Sequence, residues 1–370
     1  MKHLKVIDPL DIITDWKKSL IEKKELTEQF FSNDCSVCRY ALGRNEHSIA
    51  LTNSIFLDGF IDDFYTDNSY WMNKPVIKSN AVPENAIVIN CSTSISPLSA
   101  HKLLEKLKIK GLLSYSDLCE AFPDKLPLAD FVIKTRFDVE KNKEKWNNIY
   151  EKLCDEESKK TLNDILSFRL TGDYRMMKDY SVRLKEQYFE KFISIKKGDI
   201  FIDAGGFDGD TTEQFCTRYP YYGKVYLFEP SVFNMKKARI KLSNLKNIEF
   251  FELGLSDKAG KLKFNSDSGS ASFISESGTS FIDVTTIDEI VKEKISFIKM
   301  DLEGWELNAL KGAKKHIIKD HPILAITVYH KPSDFWQIYE FISELRTDYK
   351  IYLRHYTEGW SETVMYFIPD

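Results

Sequence analysis

The 370-residue chain has no run approaching the roughly 18 consecutive apolar residues of a membrane span. Its longest apolar run, around Ile323–Tyr329, has the length of a β-strand. Neither sign of charge is in excess: 52 Lys and Arg face 56 Asp and Glu, a formal charge of −4. That balance argues against a protein whose main task is gripping nucleic-acid phosphates or anionic lipid. The opening residues MKHLKVIDPL lack the apolar centre of a signal peptide, so a cytoplasmic protein without an integral membrane segment is expected. Residues 140–196 have neither Pro nor a Ser/Gly-rich stretch that would make a loose linker, and no internal repeat of fixed period is present. Hydrophobic residues at 43% and charged residues at 29% are ordinary globular values, which excludes a disordered or fibrous chain.

Cysteine is sparse. Six residues, Cys35, Cys38, Cys91, Cys119, Cys154 and Cys216, are scattered along a chain without a secretory signal, so free thiols are the default. Cys35 and Cys38 form a C-x-x-C pair, with His47 nine residues beyond. A structural zinc site needs four ligands, usually two such pairs, and there is no second pair, so the thiol reading is preferred over metal or redox use.

At about 150 residues per domain, the length predicts two to three units. Residues 1–31 read as an amphipathic helix opened by Asp8-Pro9, with Ile13, Trp16, Leu20 and Phe30 near helical spacing. Residues 32–139 alternate strand-like runs (Phe56–Ile61, Ala86–Asn90, Gly111–Tyr115) with helical ones such as Pro97–Leu107, the pattern of a small α/β domain with a parallel sheet. Residues 140–196 read as a helical connector: Trp146, Ile149 and Leu153 form one apolar set, Leu162, Ile165 and Leu166 the next, and Tyr174–Phe192 is expected to resume the helix after Thr171-Gly172-Asp173. Residues 197–370 form a second α/β domain.

The chemistry concentrates there. Ile200–Asp203 reads as a strand, followed at once by Ala204-Gly205-Gly206-Phe207-Asp208-Gly209-Asp210 and a helix. Glycines let backbone approach a ligand closely, and a helix start offers unpaired N–H groups. The next strand, Lys224–Phe228, ends in Glu229, 26 positions beyond Asp203, where a carboxylate can hold both ribose hydroxyls of an adenosine-type cofactor. A nicotinamide dinucleotide would want G-x-G-x-x-G; with the first glycine at Gly205, Phe207 and Asp210 stand where the other two should be. The loop instead adds Asp203, Asp208 and Asp210, which would repel a pyrophosphate but suit the ammonium and sulfonium of S-adenosylmethionine (AdoMet).

The segments FIDAGGFDGDTTEQF, VYLFEPS, ELGLSDKAGKLKF, DVTTIDEI, FIKMDLEGWELNALKGA and YHKPSDFW follow one another in an order that resembles the FkbM family of AdoMet-dependent methyltransferases, over about residues 196–370. The approach segment LCDEESKKTLNDILSFRLTGDY is similar to the longer, two-domain members. The stretch from FLDGFIDD to NAIVINCSTS resembles a small Rossmann-like module found at the N-terminus of some sugar-modifying proteins. There the first loop binds a nucleotide; here Ala41-Leu42-Gly43-Arg44-Asn45 carries one glycine, so a structural or substrate-orienting role is preferred.

The resemblance implies a seven-stranded Rossmann-like methyltransferase sheet with an antiparallel edge hairpin, Tyr349–Tyr356 and Thr363–Ile368. It places Asp203, Gly205, Gly206, Asp208 and Gly209 around the methionine part of AdoMet, Glu229 on the ribose, and the turn Gly254-Leu255-Ser256-Asp257 beside the adenine. Asp301 would stand at the end of the fourth strand, Glu303 at the following turn, and His330 at the end of the fifth. An acceptor hydroxyl needs a base or a metal. His330 is the expected base, with Asp301 and Glu303 orienting the acceptor; in an equal alternative, Asp301 and Glu303 grip a divalent cation. The plainer readings are a histidine capping a loop and an acidic pair at a helix start. His355 ranks below His330.

Family resemblance implies O-methylation, often of sugars in surface glycans or of natural-product scaffolds, so the expected partner is a saccharide or a small hydroxyl compound. Trp305, Tyr329, Trp336 and Trp360 suit stacking on sugar rings or a place in the core. Nucleic acid is not expected, since Asp301-Leu302-Glu303-Gly304 stands where a [DN]-P-P-[YF] element would be and no basic stripe exists. A nicotinamide-dependent sugar oxidoreductase and a non-catalytic binding module are the rivals. A homo-oligomer is compatible with the sequence.

Overall fold

The computed structural model describes residues 8–64, 70–265, 273–274 and 280–370. Two compact units result: Met1–Asn147 with Lys160–Leu184 and Tyr356–Ser361, and Asn148–Lys159 with Lys185–His355 and Glu362–Asp370.

In the first unit, Asp8 caps the helix Pro9–Ser19 by accepting from the Leu10 N–H, with proline at the first helical position where no N–H is needed. The single helix expected over 1–31 is interrupted by a 3-10 turn at Ile21–Lys23 before Lys24–Phe31. A six-stranded sheet follows, in the order Tyr70–Trp71, Lys74–Ile77, Gly59–Ile61, Cys38–Leu42, Ala86–Asn90, Gly111–Ser114. Only the Tyr70–Trp71 pairing is antiparallel. Ala86–Asn90 is buried at every position, as a central parallel strand must be. Asn45 caps the helix Glu46–Ser54 and Arg44 pairs with Asp62 at 2.8 Å, so the loop singled out as a nucleotide-binding analogue spends its polar groups on its own framework. Residues 356–361 also belong here: the Glu358 carboxylate accepts from the N–H and hydroxyl of Ser99, both at 2.7 Å.

The long helices Asp130–Lys152 and Glu156–Thr171 lie where apolar spacing puts them. The helix expected over Tyr174–Phe192 is not formed. After a 3-10 turn at Tyr174–Met177, no helix resumes. The backbone and side chains of its second half are drawn to other partners. The Tyr188 N–H donates to the Tyr366 hydroxyl at 3.0 Å, and Tyr188 itself sits at φ 68°, outside any right-handed helix. Phe192 stacks on Tyr352 with 4.5 Å between centroids.

The second unit is built on a seven-stranded sheet in the order Tyr349–His355, Thr363–Pro369, Ile323–Thr327, Phe297–Met300, Ile200–Ala204, Lys224–Phe228, Ile248–Phe251. The last five are parallel and the first two form an antiparallel edge hairpin. This is the expected methyltransferase-type architecture. Strand order reverses between Ile200–Ala204 and Phe297–Met300, the point where open α/β sheets open a crevice at their carboxyl ends. A four-stranded sheet beside it, ordered Gly254–Leu255, Ser280–Thr285, Gly260–Asn265, Phe273–Ile274, brings Leu255 and Ile282 toward that crevice. Among the described residues no helix is long and apolar enough to cross a membrane.

The two central strands pack closely at their carboxyl ends. Gly205 lies at φ 77°, and a Cβ there would stand 1.9 Å from the carbonyl oxygen of Asp301. Gly205→Ala therefore has to move backbone as well as adopt a left-handed conformation. It is expected to destabilise the protein by about 2–4 kcal/mol, read as a lowered midpoint in urea unfolding.

Candidate active site

Asp203 and Lys299 are register partners on the two central strands, and both are buried. One Asp203 oxygen lies 3.1 Å from the Lys299 ammonium, and the other accepts from the Thr212 hydroxyl at 2.7 Å. Lys299 Nζ also donates to the carbonyl of Gly205 at 2.7 Å, which pins the turn above it. The N–H groups of Gly205 and Gly206 both reach the Phe228 carbonyl, at 3.0 and 2.9 Å. A Cβ on Gly206 would collide with the side chain of Leu227. Strand packing thus requires glycine at 205, and the Leu227 side chain crowds any larger residue at 206.

The acidity of the loop is partly offset by two lysines. Lys241 pairs with Asp208 at 2.7 Å and with Asp210 still closer, as Lys299 does with Asp203. Asp203, Asp208 and Asp210 therefore present less net negative charge to a cationic donor than the sequence implies. Glu229 has no lysine. It accepts the N–H groups of Phe207 at 3.0 Å and Ser231 at 2.8 Å, yet burial outweighs them and holds its carboxyl above the usual range.

A second group of acids gathers below the opposite strand ends. Asp301 accepts from the Tyr188 hydroxyl at 2.9 Å and the Thr327 hydroxyl at 3.3 Å. Burial, with Asp301 next, pushes the Tyr188 phenol well up, so it stays a donor. Glu306 is buried and accepts the Leu302 N–H at 2.7 Å and the Thr327 hydroxyl at 3.1 Å. His330 has Glu306 3.1 Å from Nδ1, with Glu303 at 3.4 Å and Asp301 at 3.6 Å from Nε2. Burial works to lower the imidazole's proton affinity, but Glu306, Glu303 and Asp301 together raise it well above the ordinary value. Glu362 accepts from Gln187 at 2.7 Å and Tyr329 at 3.3 Å; burial first, then the charge of Asp301, pushes it up to about 7.

Between the two groups lies a cavity of about 300 Å³. Of the residues the sequence singled out, Gly205, Gly206, Asp208, Glu229, Gly254, Leu255, Asp301 and Glu303 line it. Asp203, Gly209, Ser256 and His330 stand behind its wall. Asp203 is spent on Lys299 and Thr212. Gly209 turns the chain at φ 91° into the helix Asp210–Arg218, and the Ser256 hydroxyl accepts from the Trp305 indole at 3.3 Å. His330 is outside the lining and meets Asp301, Glu303 and Glu306 from there. His355 is buried against Thr363 and does not reach the cavity. Trp305 and Tyr329 are on the wall; Trp336 is buried in the helix Asp334–Leu345 and Trp360 belongs to the first unit.

The wall also holds residues that spacing did not mark: Gln187, Tyr188, Phe207, Lys299 and Glu362. One signal was local. Of the eight non-glycine residues with positive φ among the described residues, four line this cavity: Tyr188, Phe207, Glu303 and Glu362. None is an Asn or Asp, the types that tolerate this conformation, and such strain persists where the surroundings over-determine it, commonly at functional sites.

Residues 203–356 match the family model described as the methyltransferase FkbM domain. A crystal structure of methyltransferase FkbM from Methylobacillus flagellatus KT is similar over 97% of this chain and 100% of that one, with a TM-score of 0.72 at 21% identity, which shows the fold. SMU.1697c from Streptococcus mutans, solved in complex with SAH, is 21% identical over 47% of this chain and 90% of its own, with a TM-score of 0.32. No curated protein matches the chain.

The buried ion pair under the glycine turn yields a test. Lys299→Met leaves Asp203 charged and without its cation, and is expected to lower stability by about 3–5 kcal/mol in urea unfolding. Adding Asp203→Leu should recover part of that loss, because the two residues are coupled.

Proposed function

Starting from a chain that carries a methyltransferase domain of the FkbM family, we propose that it transfers the methyl group of AdoMet to a hydroxyl of a saccharide. The observation that supports this reading is a single cavity lined both by Glu229, Gly254 and Leu255 and by Asp301, Glu303 and Glu362.

The donor end fits AdoMet by its chemistry. Glu229 stands at the end of the second strand, held by the backbone of Phe207 and Ser231 and by the Asn234 side chain, and is suited to ribose hydroxyls. Leu253, Leu255 and Ile282 provide an apolar face for adenine, with Gly254 between them, and Gly205, Gly206 and Asp208 border the amino-acid part. Bound AdoMet would supply an activated methyl on a good leaving group, so the protein's task is alignment and handling of one proton.

The acceptor end presents Gln187, Tyr188, Tyr329, Asp301, Glu303 and Glu362. Carboxylates, hydroxyls and an amide at close quarters, beside the aromatic faces of Trp305 and Tyr329, match the dense hydroxyls and apolar ring faces of a sugar. Asp301 and Glu303 orient the acceptor. Glu362, rather than His330, is placed to take the hydroxyl proton: it opens on the cavity and its proton affinity lies near neutrality. Asp203, Gly209 and Ser256 act through the residues they position. The first unit and the assembly state of the chain have no assigned part in this scheme.

Incubation of the purified chain with methyl-labelled AdoMet and a panel of oligosaccharides and glycans should place label on a saccharide as an ether. Label on none of them would overturn the reading. Glu362→Gln is expected to lower turnover by about 10²- to 10⁴-fold with little change in affinity for S-adenosylhomocysteine. In the unaltered protein, the base works only when ionised, so turnover should climb as pH rises through about 7, and the variant should lose that limb. Glu229→Ala should weaken S-adenosylhomocysteine binding by about 10- to 100-fold in calorimetry, the value of a hydrogen bond to a charged group.

A further inference from the structure

The acids beneath the acceptor end form a set that methyl transfer by alignment alone does not require. One donor atom each from Asp301, Glu306 and His330 lie within 4.8 Å of one another. The side chains of His330 and Glu306 keep only 7% and 1% of their surface exposed. Oε2 of Glu306 and both ring nitrogens of His330 are shut away from solvent without an aligned hydrogen bond, since the nearby carboxylate oxygens lie off the donor directions of the ring. Buried polar atoms left open in this way point to a missing partner.

We propose that Asp301, Glu306 and His330 hold a divalent cation at the floor of the cavity. The sequence pointed to Asp301 and Glu303 for such an ion; the geometry replaces Glu303 with two residues that are better enclosed. Their remaining atoms are held as those of metal ligands commonly are. Thr327 donates to Glu306 or Asp301, Tyr188 donates to the second oxygen of Asp301, and the Leu302 and Gly304 N–H groups point at Oε1 of Glu306. Oε2 of Glu306 is left for the ion. One imidazole nitrogen with two carboxylates suits manganese, iron(II), cobalt or zinc better than calcium or magnesium, which favour oxygen alone.

Three protein ligands leave coordination positions open. Asp301 borders the cavity while Glu306 and His330 do not, so those positions face the acceptor end. There the ion would bind and acidify the acceptor hydroxyl, a role that rests on the methyl-transfer reading; the ion site itself does not.

The full chain, stripped with chelator and dialysed, is titrated with manganese(II) chloride by calorimetry, without AdoMet or acceptor. One ion per chain is expected, with nitrogen-14 modulation from an imidazole in pulsed electron paramagnetic resonance of the bound manganese. His330→Ala and Glu306→Gln should each weaken binding at least 10-fold, with Glu303→Gln close to the unaltered protein. Absence of manganese binding, or bound manganese without the nitrogen signal, overturns the proposal, and the latter needs no variant to fold. Since no methyl transfer is involved, failure here leaves the enzymatic reading standing, and an inactive enzyme that binds manganese leaves this site standing.

Discussion

The Lys299–Asp203 pair is the constraint on which the site depends. A lysine on one central parallel strand meets an aspartate directly across on the next, with neither in contact with bulk water. Burying two charges is costly, and an ion pair of this kind seldom adds net stability over a well-packed apolar pair. What it adds here is placement. The ammonium has donors left over after Asp203, and it directs one at the Gly205 carbonyl. The turn that follows can then close against the backbone of Asp301, which only glycine permits. The crevice between the strands, the orientation of Phe207 toward Glu229, and the exit direction of Asp301 all follow from that contact.

The strain around the crevice has the same logic. Tyr188, Phe207, Glu303 and Glu362 occupy left-handed backbone conformations that cost each of them of order a kcal/mol or more. They come from four separate segments of the chain, so no single turn explains them. Three of them are held by hydrogen bonds: Tyr188 by the Tyr366 hydroxyl, Phe207 by Glu229, Glu362 by Gln187. The result is a wall whose polar groups are aimed before any ligand arrives, which limits the entropy lost on binding.

Much of this second unit was legible in the sequence. Strands such as Ile200–Ala204 and Lys224–Phe228 are short apolar runs with clear stops, and the closing hairpin alternates as an edge should. The glycine turn and Glu229 follow from strand–turn–helix order. Other parts were not legible, for physical reasons. Gln187 and Tyr188 lie in a segment whose apolar spacing imitates a helix, and only tertiary hydrogen bonds overrule it. Glu362 is an isolated carboxylate after a turn, with nothing nearby in sequence to mark it. Asp208 and Asp210 looked like free negative charge because Lys241, which pairs with both, is some thirty residues away on another helix. Periodicity reports which face of an element is buried; it carries no information on which distant cation an acid will meet.

Neither unit is a continuous length of chain. Residues 356–361, including Glu358 with its grip on Ser99, are made after all the rest of the first unit. The amino-terminal portion therefore has to wait, one of its own pieces still untranslated, while residues 185–355 are made. A fragment ending before Tyr356 would release a body with a gap in it, so the boundary that looks natural on paper, near residue 197, is a poor place to cut.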